Sequence, residues 1–206
     1  MMRAALRVLL LPLIATSLAA CSSLPVSRTY LGSTTHGIAA DAPAGWRVLS
    51  AEEMLGRTEG APPFLQGFSA GNPTDPSSPM DADVPGGVFV VSFHPSLEEA
   101  AKAARNAFIL DLDAAVKAGS ARVLDEADPI VRDGYEWRQW TLEVSTGSGT
   151  VMRVIQRVAT SVEPVAADAN RLPLHANKAV VVGCRPGCFD TQRGTIDEVL
   201  ASVEIR

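Results

Sequence analysis

Three groups of residues in this chain have the types and spacing to do chemistry. The first is Ser69, inside Gly67-Phe68-Ser69-Ala70-Gly71. That is the G-x-S-x-G pattern of a nucleophile elbow, in which a serine sits on a sharp turn between a strand and a helix. Pro73 and Pro76 follow at once and forbid the helix, so a chance match in a Gly/Ser-rich stretch is expected. The second group is Cys184 and Cys188, which enclose Arg185-Pro186-Gly187. A redox couple is normally C-x-x-C ahead of a helix, one residue tighter than this. A zinc site would need two more ligands, and no histidine is close in sequence. Pro followed by Gly signals a type II turn that folds the chain back on itself. A structural disulfide is therefore expected if the compartment is oxidising. Closing so small a loop stabilises by roughly 2 kcal/mol in the chain-entropy model. The third group is scattered: His36, His94 and His175, with Asp111, Asp113, Asp125, Glu126 and Asp128. No D-x-D-x-D-G calcium loop is present, so a solvated acidic face is the default. A metal cluster would require the histidines to converge in space, and their spacing does not supply that. No catalytic set, metal site or cofactor is expected.

Cys21 is the third cysteine. Ahead of it, Arg3 and Arg7 lead into an apolar run over residues 8–18. The run is too short to span a bilayer and has the layout of a secretory signal, which implies an oxidising compartment. In Leu18-Ala19-Ala20-Cys21 the cysteine sits directly behind two small residues. This stretch resembles a bacterial lipoprotein signal. The resemblance implies that the Cys21 thiol takes a diacylglyceryl group. The chain is then cut between Ala20 and Cys21, and the new amino terminus is acylated. One acyl chain binds membranes only marginally, whereas two or more make a durable anchor. Ser22 and Ser23 follow with no aspartate, which by the same resemblance implies the outer membrane on its periplasmic face. The competing reading is a plain secretory peptide, or an uncleaved helix, with Cys21 there by chance. No later stretch reaches about 18 apolar residues, so no second membrane segment is expected.

Three segments follow from this: a leader over 1–20, a Ser/Thr-rich flexible tether over 21–35, and one globular domain over 36–206. Arg3 and Arg7 lie in the leader, so its removal takes the net charge from −5 to −7. An acidic domain with no basic run is a poor nucleic-acid binder and a poor match for anionic headgroups. Membrane contact is expected through the lipid alone. A hydrophobic content of 47% excludes general disorder, and 5% aromatics disfavour an aromatic-lined sugar or nucleotide groove.

The elements that must position these residues come from period and punctuation. Residues 37–43 and 46–49 read as short strands, with Ser50-Ala51-Glu52-Glu53 as a capping box opening a short helix that ends near Gly56. Residues 64–68 read as a short strand, and the Pro/Ser/Asp/Gly-rich stretch 71–85 as an exposed loop. A Val/Phe strand over 88–93 precedes a second cap, Ser96-Leu97-Glu98-Glu99. From there Leu97, Ala101, Ala104, Phe108, Leu112, Ala115 and Val116 recur at helical spacing, predicting one helix that closes at Gly119. Strands follow from 121–124 and 130–132, a hairpin turn at Asp133-Gly134, then paired arms over 135–144 and 151–160. Met152, Val154 and Val158 share one face and Arg153 and Arg157 the other, which reads as a meander with one buried side. Residues 162–176 read as a loop, and 179–182 as a buried strand. Asp190 can cap a last helix that aligns Ile196, Val199, Leu200 and Val203. The fold class is α+β, a mostly antiparallel sheet with helices packed on it.

This order and punctuation resemble the PsbP-like family, an α/β/α sandwich found in a photosystem II extrinsic subunit and in bacterial lipoproteins. The matching features are Pro43-Ala44-Gly45-Trp46, the helix after the central strand and the hairpin at Asp133-Gly134. To these is added the strand–turn–helix from Ala179 to the ending Ala201-Ser202-Val203-Glu204-Ile205. The chain departs from the family in its 71–85 loop and in the Cys184/Cys188 pair. The resemblance implies binding and scaffolding roles, mostly without enzymatic activity, and supplies no catalytic residue.

Trp137 and Trp140 lie three apart on a strand and so point to opposite faces. One is expected in the core. Tyr135 and Trp137 then form a possible binding surface, although both tryptophans are core if helices cover both faces. The function expected is a membrane-anchored periplasmic module that binds an envelope protein partner without catalysis. The rivals are an envelope hydrolase using Ser69 or a histidine, and a carrier of a small apolar ligand.

Overall fold

Strand-forming runs and two-residue turns lay down a meander, and the computed structural model describes it over residues 27–56, 61–73, 75–80, 83–107, 111–146, 149–167 and 172–206. The leader, Cys21 and Phe108 lie outside the described residues. The chain opens with β1 (Arg28–Ser33) and β2 (Ile38–Pro43), then β3 (Arg47–Leu49), α1 (Ala51–Leu55), β4 (Phe64–Ser69) and β5 (Gly86–His94). Next come α2 (Leu97–Arg105) and α3 (Leu112–Lys117). The meander strands are β6 (Ala121–Arg132), β7 (Tyr135–Ser145) and β8 (Val151–Ser161). After them come β9 (Ala166–Ala167), β10 (Pro173–Cys184), α4 (Pro186–Thr191), α5 (Arg193–Ala201) and β11 (Glu204–Ile205). The large sheet runs β3-β4-β5-β10-β8-β7-β6, with β9 paired to β10 off that path, and the small sheet runs β1-β2-β11. Neighbouring strands pair antiparallel. The architecture is the expected α+β one, with helices packed on antiparallel sheets.

Both faces of the large sheet are covered, where the alternation of β8 alone suggested one. On one face Trp140, Leu142, Met152, Val154, Val158, Ala179 and Val181 pack under α1, α2 and α3 through Met54, Ala104 and Leu112. On the other, Phe68, Phe89, Ile155, Val180 and Val182 pack under α4, α5 and the small sheet through Phe189, Ile196, Leu200, Leu31 and Ile38. Both sides of the strand pattern are then largely apolar, and the polar residues buried on β8 and β10, Gln156, Thr160, Asn177 and Lys178, hydrogen-bond to the elements around them.

Local chemistry explains where the expected elements hold. Ser50 caps α1 with the full capping box through Glu53, and Gly56 ends it in the left-handed conformation, φ 65°. Asp133 (φ 53°) and Gly134 (φ 79°) both take positive φ, the two-residue turn that suits the strand twist between β6 and β7. Pro129 does not break β6, because β6 is an edge strand and its register slips between Ala127 and Ile130.

Six expectations are corrected. The tether over 21–35 is too long: residues 28–33 form β1 and pair with β2 along their length, so folded structure begins by Arg28 rather than at 36. An edge strand that buries one residue, Leu31, needs no apolar alternation. The helix over 97–119 is two helices. Asn106 ends α2 and accepts the Leu112 N–H through Oδ1, while Asp111 caps α3 by accepting from Ala114 N–H. Loop 71–85 is anchored, since Pro73, Pro79, Met80 and Pro85 are buried. Residues 173–176, expected in a loop, begin β10. Finally, Pro186-Gly187 is no type II turn. Pro186 occupies the first position of α4, where its missing N–H costs nothing, and Asp190 lies inside that helix rather than capping the next.

Candidate functional site

Ser69 ends β4 fully buried, its Oγ accepting the Gly71 N–H at 3.4 Å. Its neighbour Ala70 donates to the Pro85 carbonyl, so the chain continues into a packed loop and not a helix. Its hydroxyl serves a backbone donor of the turn that follows.

The histidines divide. His36 lies between β1 and β2, stacked on Phe64 with ring centroids 5.0 Å apart. His94 and His175 are directly opposite each other across β5 and β10, a juxtaposition their spacing of 81 positions concealed. His94 Nε2 meets Ser92 Oγ at 2.9 Å, and His175 Nδ1 meets the Ser161 carbonyl at 3.0 Å. Partial burial lowers the His94 pKa, against a smaller raising effect of Glu99. Among the described residues no three His, Cys, Asp or Glu side chains gather to hold a metal. Three of the acidic residues have structural partners: Asp111 caps α3, and Arg105 bridges Asp113 at 3.1 Å and Glu126 at 3.3 Å. Cys184 and Cys188 lie at disulfide distance, S–S 2.01 Å, joining the end of β10 to α4.

Tyr135 and Trp137 sit two apart on β7, on the face covered by α5. Each is half-buried and each carries a cation. The Lys178 ammonium lies 5.1 Å from the Tyr135 ring, and the Arg132 guanidinium lies 4.3 Å from the Trp137 ring. Lys178 is only 7% exposed and donates to the carbonyls of Gly37 and Arg206 at 3.1 and 2.8 Å, tying one end of the β2–β11 pair to β10. Gly37 is required there: at φ +61°, an added Cβ would stand 2.2 Å from the Arg206 carbonyl oxygen.

The two rings line separate concavities. Tyr135, Lys178, His36 and Phe93 line one of about 410 Å³. Trp137, Arg132, Arg157, Gln139 and Ile130 line another of about 270 Å³ beside the register slip of β6 against β7. Arg157 is held by hydrogen bonds from Nε to Gln139 Oε1 at 2.9 Å and from Nη1 to the Leu200 carbonyl at 2.6 Å. Desolvation, and then the like charge of Arg132, lower the Arg157 pKa; Asp197 opposes them more weakly. The Trp137 Nε1–H is buried with no hydrogen-bond acceptor among the described residues. Trp140 faces the opposite core and is 1% exposed. Sequence reasoning selected Tyr135 and Trp137 but missed Arg132 and Arg157. Arg157 reads as an outward residue of a one-sided meander, and the role of Arg132 depends on the turn that stacks it over Trp137. The available signal was Arg132 placed directly before Asp133-Gly134.

No protein-family model matches the chain, and no curated protein matches it. Solved structures do. Cyanobacterial PsbP from Synechocystis sp. PCC 6803 superposes with a TM-score of 0.50 at 15% identity, covering 92% of this chain and 99% of that one. LpqN, described as involved in cell envelope biogenesis of Mycobacterium tuberculosis, gives 0.48 at 15% identity over 87% of this chain and 90% of its own. The Ran-binding protein Mog1p of Saccharomyces cerevisiae gives 0.41 at 10% identity over 87% and 96%. The likeness to cyanobacterial PsbP establishes the fold: the chain has a PsbP-like α/β/α sandwich.

Proposed function

We propose that this chain is a lipid-anchored protein of the bacterial cell envelope, facing the periplasm from the outer membrane, whose sandwich binds a partner without catalysis. The observation that carries the binding reading is the β6–β7 flank. There, two guanidiniums and an indole frame an open concavity, and the apolar side chain of Ile130 stands 62% exposed on the same face. No serine, cysteine or histidine lines that concavity, and Asp128 is the one carboxylate among its lining residues. The anchor rests on Leu18-Ala19-Ala20-Cys21. Among the described residues no helix is long and apolar enough to cross a membrane, which fits attachment through lipid. Hydrolysis through Ser69 is disfavoured by its burial.

Two measurements test the reading. Cys21→Ser is expected to move the protein from membrane to soluble fractions; unchanged membrane retention defeats the anchor. A photo-crosslinking residue at Ile130 is expected to capture an envelope protein in intact cells, and one at Val116 on the α3 side is not. Equal capture at both positions, or none, defeats the binding surface. A second reading, carriage of a small apolar ligand, draws on a cavity of about 400 Å³ between α2 and the β5–β10 pair, lined by Val90, Ala103, Ala107 and Ala179. Native mass spectrometry of protein purified from cells would show the carried mass.

A further inference from the structure

The geometry points to the concavity between the Arg132–Trp137 stack and Arg157 as a binding site for a phosphate group carried on a small organic body. This deepens the reading of the β6–β7 flank as the binding surface and rests on it.

Charge is the first argument. The chain is acidic overall, so paired guanidiniums here are not a by-product of a basic surface. The other arginines of the β6–β8 hairpins are neutralised: Arg122 by Glu143, Arg138 by Glu136, and Arg153 by Glu143 and Asp190. Arg132 and Arg157 have no carboxylate within ion-pair distance among the described residues. They are nevertheless close enough for one charge to depress the pKa of the other. Like charges held together at a half-buried place are a standing electrostatic cost, and an anion between them removes it.

Pre-organisation is the second. Arg157 is already fixed by Gln139 and by the Leu200 carbonyl, and Arg132 is already laid on the Trp137 ring. A ligand there would order little that is not ordered already. The guanidinium fork matches the oxygens of phosphate, and a monoester's charge of about −1.5 to −2 suits two cations better than a single carboxylate does, a diester offering the same oxygens with one charge. Asp128 at the margin leaves the site net positive. About 270 Å³ holds a phosphate and a few carbon atoms, and exposed Ile130 offers the organic part an apolar wall.

The test uses the full-length chain in neutral detergent, titrated calorimetrically with inorganic phosphate, with glycerol phosphate, and with dihexanoyl-phosphatidylglycerol below its micelle concentration. Saturable binding is expected, weakened about tenfold by Arg132→Gln and by Arg157→Gln, and unaltered by Arg122→Gln. Arg132 is exposed and makes no backbone bond, so its variant keeps the result interpretable if Arg157→Gln fails to fold. Binding of the phosphatidylglycerol alone would name a lipid headgroup as the source. Binding of inorganic or glycerol phosphate would name a soluble one, and either supports the site. No saturable binding of any probe, or equal affinity in Arg132→Gln, overturns it. That failure would leave the Ile130 crosslink standing, so it is separable from failure of the binding surface itself.

Discussion

The two faces of the large sheet hold their helices by different physics. Under α5 the contact is apolar: Ile196, Val199 and Leu200 enter a core with Phe68, Phe89, Ile155 and Val182. Under α2 there is little to bury. Its sequence, Leu97–Arg105, offers alanines and a Leu97 that is largely exposed. At about 25 cal/mol per Å², such side chains contribute little. Hydrogen bonds from the sheet take over. Gln156 Nε2 donates to the Ala104 and Arg105 carbonyls at 2.8 and 3.2 Å, and Asn177 Nδ2 donates to the Ala100 carbonyl at 2.7 Å. Thr160 Oγ1 in turn donates to Asn177 Oδ1 at 2.7 Å. A helix poor in large side chains is thus positioned by two buried amides, of which Gln156 also satisfies its last-turn carbonyls.

The largest expected effect is on the apolar side. Ile196→Ala should cost about 3 kcal/mol of global stability in urea unfolding, as a cavity forms where nothing polar can compensate. A loss below about 1 kcal/mol would mean that the face is held by something other than packing. Next, removing the Cys184–Cys188 link with a Cys184→Ala/Cys188→Ala variant should cost roughly 2 kcal/mol through the freed unfolded chain. Hydrogen exchange should rise in α4 and α5 more than in α2.

Gln156→Leu is the counterpart on the α2 side. It removes the donors and leaves helix carbonyls buried, so a loss of about 1–2 kcal/mol is expected, with faster exchange confined to α2 amides. Unchanged α2 exchange would dissolve the contrast between the faces. Ser96→Ala, which deletes the side-chain cap accepting from Glu99 N–H, should cost about 1 kcal/mol and fray the same helix.

The smallest effect is in pH. His94 sits at the end of β5 beside α2, with Glu99 near and His175 opposite. Its folded pKa lies below the ordinary value of 6.5, because burial disfavours the charged ring. The unfolded chain therefore takes up the proton first, and stability falls as pH drops through about 6.5 towards the lower folded value. A melting curve at pH 5.5 should lie below that at pH 7.5, and His94→Gln should narrow the gap.

What was legible in the residues is local. The Ser50 and Ser96 caps, the Gly56 stop, the Asp133-Gly134 turn and the opposite facing of Trp137 and Trp140 follow from dihedral preference and a period of two. Each depends on neighbours within about four positions. The split of the 97–119 helix was harder to see, because helical spacing continues through a break made by Asn106 and Asp111 side chains that satisfy backbone donors. β1 was hidden for the opposite reason, as pairing with β2 needs backbone and no apolar rhythm.

At the candidate site the division is the same. The sequence by itself determined that Tyr135 and Trp137 share a face and that Cys184 and Cys188 are close enough to pair, since both follow from separations of two and four residues. It could not bring Arg132 and Arg157 to the same indole, nor set His94 against His175. Those juxtapositions depend on which strands are neighbours and in which register, and a slip of one residue would turn every such side chain to the other face. Only the assembled sheet, with both sides covered, decided that an outward-reading arginine would stand half-buried beside another positive charge.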